Sequence, residues 1–121
     1  MQAKLIQPDP AWEYLSGERC HILEYANAPD DPEVSIARAR VETGITTKQH
    51  RLRATTERYL ILEGKGRIHV AGLAEQDVSP GDVVVIPAGA AQSITNTGDQ
   101  DLVFLCICTP RFEWDNYQSL E

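Results

Sequence analysis

The chain has 121 residues, enough for one domain with a modest core and little room for a second. Its 42% hydrophobic and 24% charged content is ordinary for a globular fold, so the composition excludes a disordered or low-complexity chain. Eleven Lys and Arg against eighteen Asp and Glu leave a net charge of −7, which argues against the basic surface that nucleic acids and anionic membranes require.

The N-terminal segment MQAKLIQPDPAWEYLSGERC lacks the basic-then-apolar layout of a secretion signal, and no run has the length of a membrane span. The expected location is therefore the cytoplasm. PAWEYLSG reads as helical or irregular, and CHILEY, which carries Cys20 and His21, as an early strand. From Val34, VSIARARVE alternates, with Ala37, Ala39 and Val41 on one face and Ile36, Arg38 and Arg40 on the other. The arginine face reads as an outer surface with salt bridges; turned inward, it would clamp a carboxylate. Gly44 ends that strand, and an extended stretch from Thr46 to Arg53 follows.

Ala54-Thr55-Thr56 is expected to turn the chain into the β-prone strand ERYLILE. Such a hairpin would bring Glu57 back beside His50. Gly64-Lys65-Gly66 is a second hairpin signal, after which RIHVAG pairs back, with His69 facing away from the interior. The turn Ser79-Pro80-Gly81-Asp82 precedes VVVIP, then AQSITN and LVFLCIC, with Pro87-Ala88-Gly89 and Asn96-Thr97-Gly98-Asp99 between them. Asn96 reads as a turn cap, and RFEWDNYQSLE beyond Pro110 as helical or irregular. Strands spaced by turn chemistry and no amphipathic helix indicate an all-β sandwich or barrel, its core spanning about residues 20–110.

The three cysteines, Cys20, Cys106 and Cys108, have no zinc-type spacing and read as small buried hydrophobes. Cys106 and Cys108 share one face of a strand, which keeps a metal or redox role open. There is no G-x-S-x-G elbow, P-loop or dinucleotide fingerprint, so no nucleotide cofactor is expected.

Two spacings carry the chemistry. Gly44, His50, Leu52, Glu57 and Gly64 follow G-x5-H-x-H-x4-E-x6-G, with leucine in place of the second histidine. Gly81, Pro87, Gly89, Gln92 and Asn96 follow G-x5-P-x-G-x2-H-x3-N, with glutamine in place of the histidine. With these two motifs the chain resembles the cupin family of small single-domain barrels. The resemblance implies a jelly-roll fold, commonly a homodimer, with a small-molecule or metal site in the barrel mouth.

Its metal positions would be His50, Glu57 and Gln92, an N,O,O set suited to Mn, Fe, Ni or Zn with water completing the shell. Glu57 is the candidate acid or base, acting on a small polar metabolite. Tyr59, Leu52 and Gln92 are the candidate ligand contacts. The alternative is a metal-free, non-catalytic pocket, with His50 and Glu57 hydrogen-bonded to each other and Gln92 reading a ligand such as a carboxylate or sugar.

Overall fold

A computed structural model describes residues 1–121 as two facing antiparallel sheets. The strands are β1 (Tyr14–Leu15), β2 (His21–Ala26), β3 (Ser35–Val41), β4 (His50–Leu52), β5 (Thr56–Glu63), β6 (Gly66–Val70), β7 (Gln76–Val78), β8 (Val83–Ile86), β9 (Gln92–Asn96), β10 (Leu102–Thr109) and β11 (Tyr117–Ser119). One sheet runs β1-β2-β3-β10-β5-β8 and the other β11-β4-β9-β6-β7. This is the all-β jelly-roll barrel expected from the sequence. No helix is long and apolar enough to cross a membrane.

The local hairpins are where the sequence reading fails. His50–Leu52 and Thr56–Glu63 lie in different sheets, so Ala54-Thr55-Thr56 is a corner between walls, with Ala54 at φ 60. Gly64-Lys65-Gly66 is likewise a crossing: β6 pairs with β7 and β9, not with β5. Gly64 is required there, since it has φ +81 and a Cβ would stand 2.6 Å from the Asp101 carbonyl oxygen. From β3 to β6 the chain changes sheet at every connection, and a period-2 pattern records which face is buried, not which neighbour pairs.

The ends also differ from expectation. Pro10–Trp12 and Trp114–Asn116 are single 3-10 turns, and each is followed by a short strand. β1 pairs with β2, and β11 pairs with β4, setting Tyr117 opposite Leu52 and Ser119 opposite His50.

Inward-facing residues shrink along the barrel. In register, Leu102 faces Val41, Phe104 faces Ala39, Cys106 faces Ala37 and Cys108 faces Ser35. Along β5 the inward residues run Ile61, Tyr59, Glu57 toward the same end. Val41, Ile61, Ile68, Ile94 and Leu102, all essentially inaccessible, fill the closed end. At the other end small side chains leave a cavity.

Asn96 fastens the closed end. Its amide nitrogen donates to the Val41 carbonyl at 2.9 Å and the Gln100 carbonyl at 2.8 Å, and its Oδ1 accepts from the Gly98 amide at 2.9 Å. It is thus a turn cap and also a tie between the two sheets. Asn96→Ala should remove about 3 kcal/mol of stability, because buried polar partners lose their bonds. Urea denaturation checks this; a loss below about 1 kcal/mol would show that the tie is dispensable.

Candidate functional site

The cavity opens between the sheets and is lined by residues of both, together with the segments that precede β2 and follow β10. About 50 Å³ is free to the centre of a water-sized sphere, space for roughly three to five waters. Of the expected site residues, His50, Leu52, Glu57 and Tyr59 line it. Gln92 does not: it is 1% exposed, sits opposite His50 on the adjacent strand, and its side-chain carbonyl accepts the Tyr59 hydroxyl.

His50 is held on three sides. Its Nδ1 donates to the Lys48 carbonyl at 2.8 Å, its Nε2 meets Glu18 Oε2 at 3.3 Å, and the Tyr117 ring stacks on it with centroids 4.9 Å apart. With Nδ1 donating to the Lys48 carbonyl, Nε2 is the ring nitrogen that faces the Glu18 carboxyl. The expected His50–Glu57 hydrogen bond is absent, because the two residues stand on different sheets and Glu18 has taken the imidazole. Burial raises the Glu18 carboxyl, His50 lowers it, and the neighbouring Glu57 raises it again.

Glu57 is 7% exposed. Its Oε2 accepts the Cys108 thiol at 3.5 Å, while Oε1 has no partner. Burial pushes its carboxyl up to about 7, against the lowering effect of the Cys108 thiol, the Gln92 amide and the Cys106 thiol. A carboxyl titrating there can give or take a proton at neutral pH. The three thiols are free, and all line the cavity. Burial pushes Cys20 up to about 12 and raises Cys106 and Cys108 as well, so none is a thiolate nucleophile or a ready soft-metal ligand.

The donor chemistry does not fit a tightly held metal. Of the four family positions, Leu52 cannot ligate and the Gln92 oxygen is bonded to Tyr59 behind the cavity wall. His50 Nε2 is engaged by Glu18. No group of three or more His, Cys, Asp and Glu side chains is arranged to hold an ion. His50 and Glu57 thus line one cavity from opposite sheets, while Gln92 stands in register with His50 and turns its side-chain oxygen to Tyr59.

The remaining candidates sit outside the cavity. Arg40 binds Glu13 at 2.5 Å and Asp101 at 3.1 Å, and Arg38 lies 3.8 Å from Glu13, so the inward carboxylate clamp is not formed. His69 contacts Glu75 and Thr95, each at 2.9 Å, and His21 lies 3.3 Å from Glu42.

Sequence reasoning missed Glu18, Glu24 and the aromatic rim. Phe112, Trp114 and Tyr117 form a chain of edge-on contacts, with centroids 4.9 and 5.3 Å apart, that ends on the His50 stack. The aromatic spacing in RFEWDNYQ was the available signal. Nothing in WEYLSGERC marks Glu18 as internal.

An antiparallel barrel with an aromatic-rimmed, largely apolar cavity that holds a few carboxyls and one imidazole defines a pocket protein of the jelly-roll class. The Cupin domain family model matches residues 37–108, and the chain belongs to that family. It is 32% identical over 87 residues to an uncharacterised protein of Methanocaldococcus jannaschii, covering 72% of this chain and 69% of that one. It is 35% identical over 90 residues to the oxalate-binding protein of Thermotoga maritima, covering 74% of this chain and 73% of the relative. Among solved structures, the capsular polysaccharide assembling protein CapF of Staphylococcus aureus superposes with a TM-score of 0.75 at 26% identity. That match covers 90% of this chain but 34% of CapF, so this chain spans about a third of it.

Glu57 has a stability signature. Its folded value of about 7 exceeds the ordinary 4.5, so the native state holds the proton more tightly than the unfolded chain. Stability is then lost as pH rises through this window, and the full cost, about 3 kcal/mol, is present above it. Glu57→Gln should cancel that loss, becoming more stable than wild type above neutral pH but not at about pH 4. Parallel urea midpoints for the two proteins across this range would refute the burial argument.

Proposed function

We propose that this cupin binds a small organic molecule in the barrel mouth without a resident metal ion. The occupied donor atoms carry the reading: Glu18 engages His50, Tyr59 engages Gln92, and Leu52 adds apolar wall. Family membership and the relative named for oxalate binding support small-molecule recognition in general. Oxalate itself matches this pocket poorly. A dianion would meet Glu18, Glu24 and Glu57 with no Lys or Arg on the lining, and the same holds for other carboxylates. The depth admits only a few heavy atoms, so the rest of a ligand would lie among the rim aromatics. We assign to Glu57 any proton transfer on the bound molecule.

Elemental analysis after incubation with Mn, Fe(II), Ni or Zn should find under about a tenth of an ion per chain, since a site of real affinity saturates. Stoichiometric metal that disappears in Glu57→Ala would overturn the metal-free reading. Fragment screening by ligand-observed NMR should give hits that vanish in Ala37→Phe, which fills the cavity. Hits that survive that substitution would place binding elsewhere.

We also infer a homodimer. Val83 and Val85 on the edge strand β8 are each 58% exposed, and Leu62 on neighbouring β5 is 41% exposed, an apolar strip beside an unpaired edge. Light scattering on the eluting protein should give twice the chain mass, and Val85→Lys should shift it toward the monomer. A monomeric wild type at micromolar concentration would remove this inference. The free, buried thiols suit a reducing compartment, and we place the protein in the cytoplasm on that basis.

A further inference from the structure

The charges of the cavity are unbalanced in a way that specifies a ligand. Three carboxylates line it, Glu18, Glu24 and Glu57, and no lysine or arginine does. His50 is the only cationic candidate, and Glu18 is already its partner. Glu24 has no ion pair, and Glu57 Oε1 is buried and makes no hydrogen bond. An acceptor enclosed in this way is costly until something donates to it.

The mouth supplies the complementary surface. Trp114 and Tyr14 are exposed at the rim, and Tyr117 and Phe112 lie half-buried beside them. Glu18 lines the cavity together with Tyr14 and Tyr117, and it meets the imidazole of His50 on which the Tyr117 ring stacks. Aromatic faces carry negative charge density, so they attract cations just as carboxylates do. Wall and floor therefore select the same sign.

We propose that the pocket takes a small organic ammonium, its N–H groups directed to Glu57 and Glu18 and its carbon body against Trp114, Tyr117 and Tyr14. The proposal rests on the small-molecule pocket above and adds the charge class of the occupant. A primary or secondary ammonium fits better than a quaternary one, because only the former donates to Glu57 Oε1. The net charge of −7 favours the approach of a cation at low salt.

The test compares three probes of one shape: benzylammonium, benzyl alcohol and benzoate. Their binding is followed by tryptophan fluorescence and ligand-observed NMR at about pH 8, above the value of about 7 to which burial pushes Glu57. Benzylammonium should bind at least tenfold more tightly than either comparator. Glu57→Gln, which the burial argument expects to fold well, should remove that preference, so that benzylammonium and benzyl alcohol bind the variant about equally. Trp114→Leu should weaken benzylammonium several-fold.

Equal affinity for benzyl alcohol, or tighter binding of benzoate, overturns the ammonium assignment and leaves the pocket itself standing. Retention of the full preference in Glu57→Gln overturns it too. If none of the three probes binds at millimolar concentration the assignment also falls, and the fragment screen with Ala37→Phe then decides separately whether the pocket binds anything.

Discussion

The inward side chains lose volume from one end of the barrel to the other, and most of the molecule's behaviour depends on that taper. Leu102, Phe104, Cys106 and Cys108 on β10 stand in register with Val41, Ala39, Ala37 and Ser35 on β3. Large aliphatic residues from both sheets close one end at interior packing density. Toward the other end the same alternation continues with residues too small to meet across the barrel. The cavity is thus a consequence of residue size at fixed pleat, and no special loop is needed to form it.

The taper also decides the electrostatics. Glu57 occupies the last inward position of β5, where the wall is dry but no longer packed, so its carboxyl is desolvated without being neutralised. Its bond to the Cys108 thiol satisfies one oxygen only. Across the barrel, His50 has the Glu18 carboxyl beside its Nε2 and the Tyr117 ring stacked on it. One wall of the pocket is internally compensated and the other is not, and that asymmetry gives the site its demand for a donor.

Much of the fold was legible in the sequence because the motif glycines and prolines report backbone demands. Gly64, where the chain crosses between sheets against the Asp101 carbonyl, is the clearest case. Pairing partners were not legible. Alternation tells which residues of TERYLILE point inward but is silent on whether the strand pairs with its predecessor or with β10. The error placing Glu57 beside His50 follows from that silence. Glu18 and the rim aromatics were hidden for a related reason: they come from the short segments before β2 and after β10, which acquire their position only by pairing with strands distant in sequence.

Gln92 shows what a motif position can and cannot convey. The spacing from Gly81 to Asn96 brings this residue to the strand beside His50, as the family resemblance implies. Its chemistry then goes in another direction. A neutral imidazole at that place would carry one donor and one acceptor, and its acceptor is a ring nitrogen that binds divalent metals well. An amide carries a donor and an acceptor together, and each seeks a neighbour. Here the acceptor meets the Tyr59 hydroxyl and the amide side chain lies close enough to Glu57 to lower its carboxyl. With Gln92 turned into the wall, Tyr59 is fixed and Glu57 is restrained on one side, leaving its Oε1 buried without a hydrogen bond. The residue that stands at the family's histidine position thus ties Tyr59 and Glu57 together in the pocket wall.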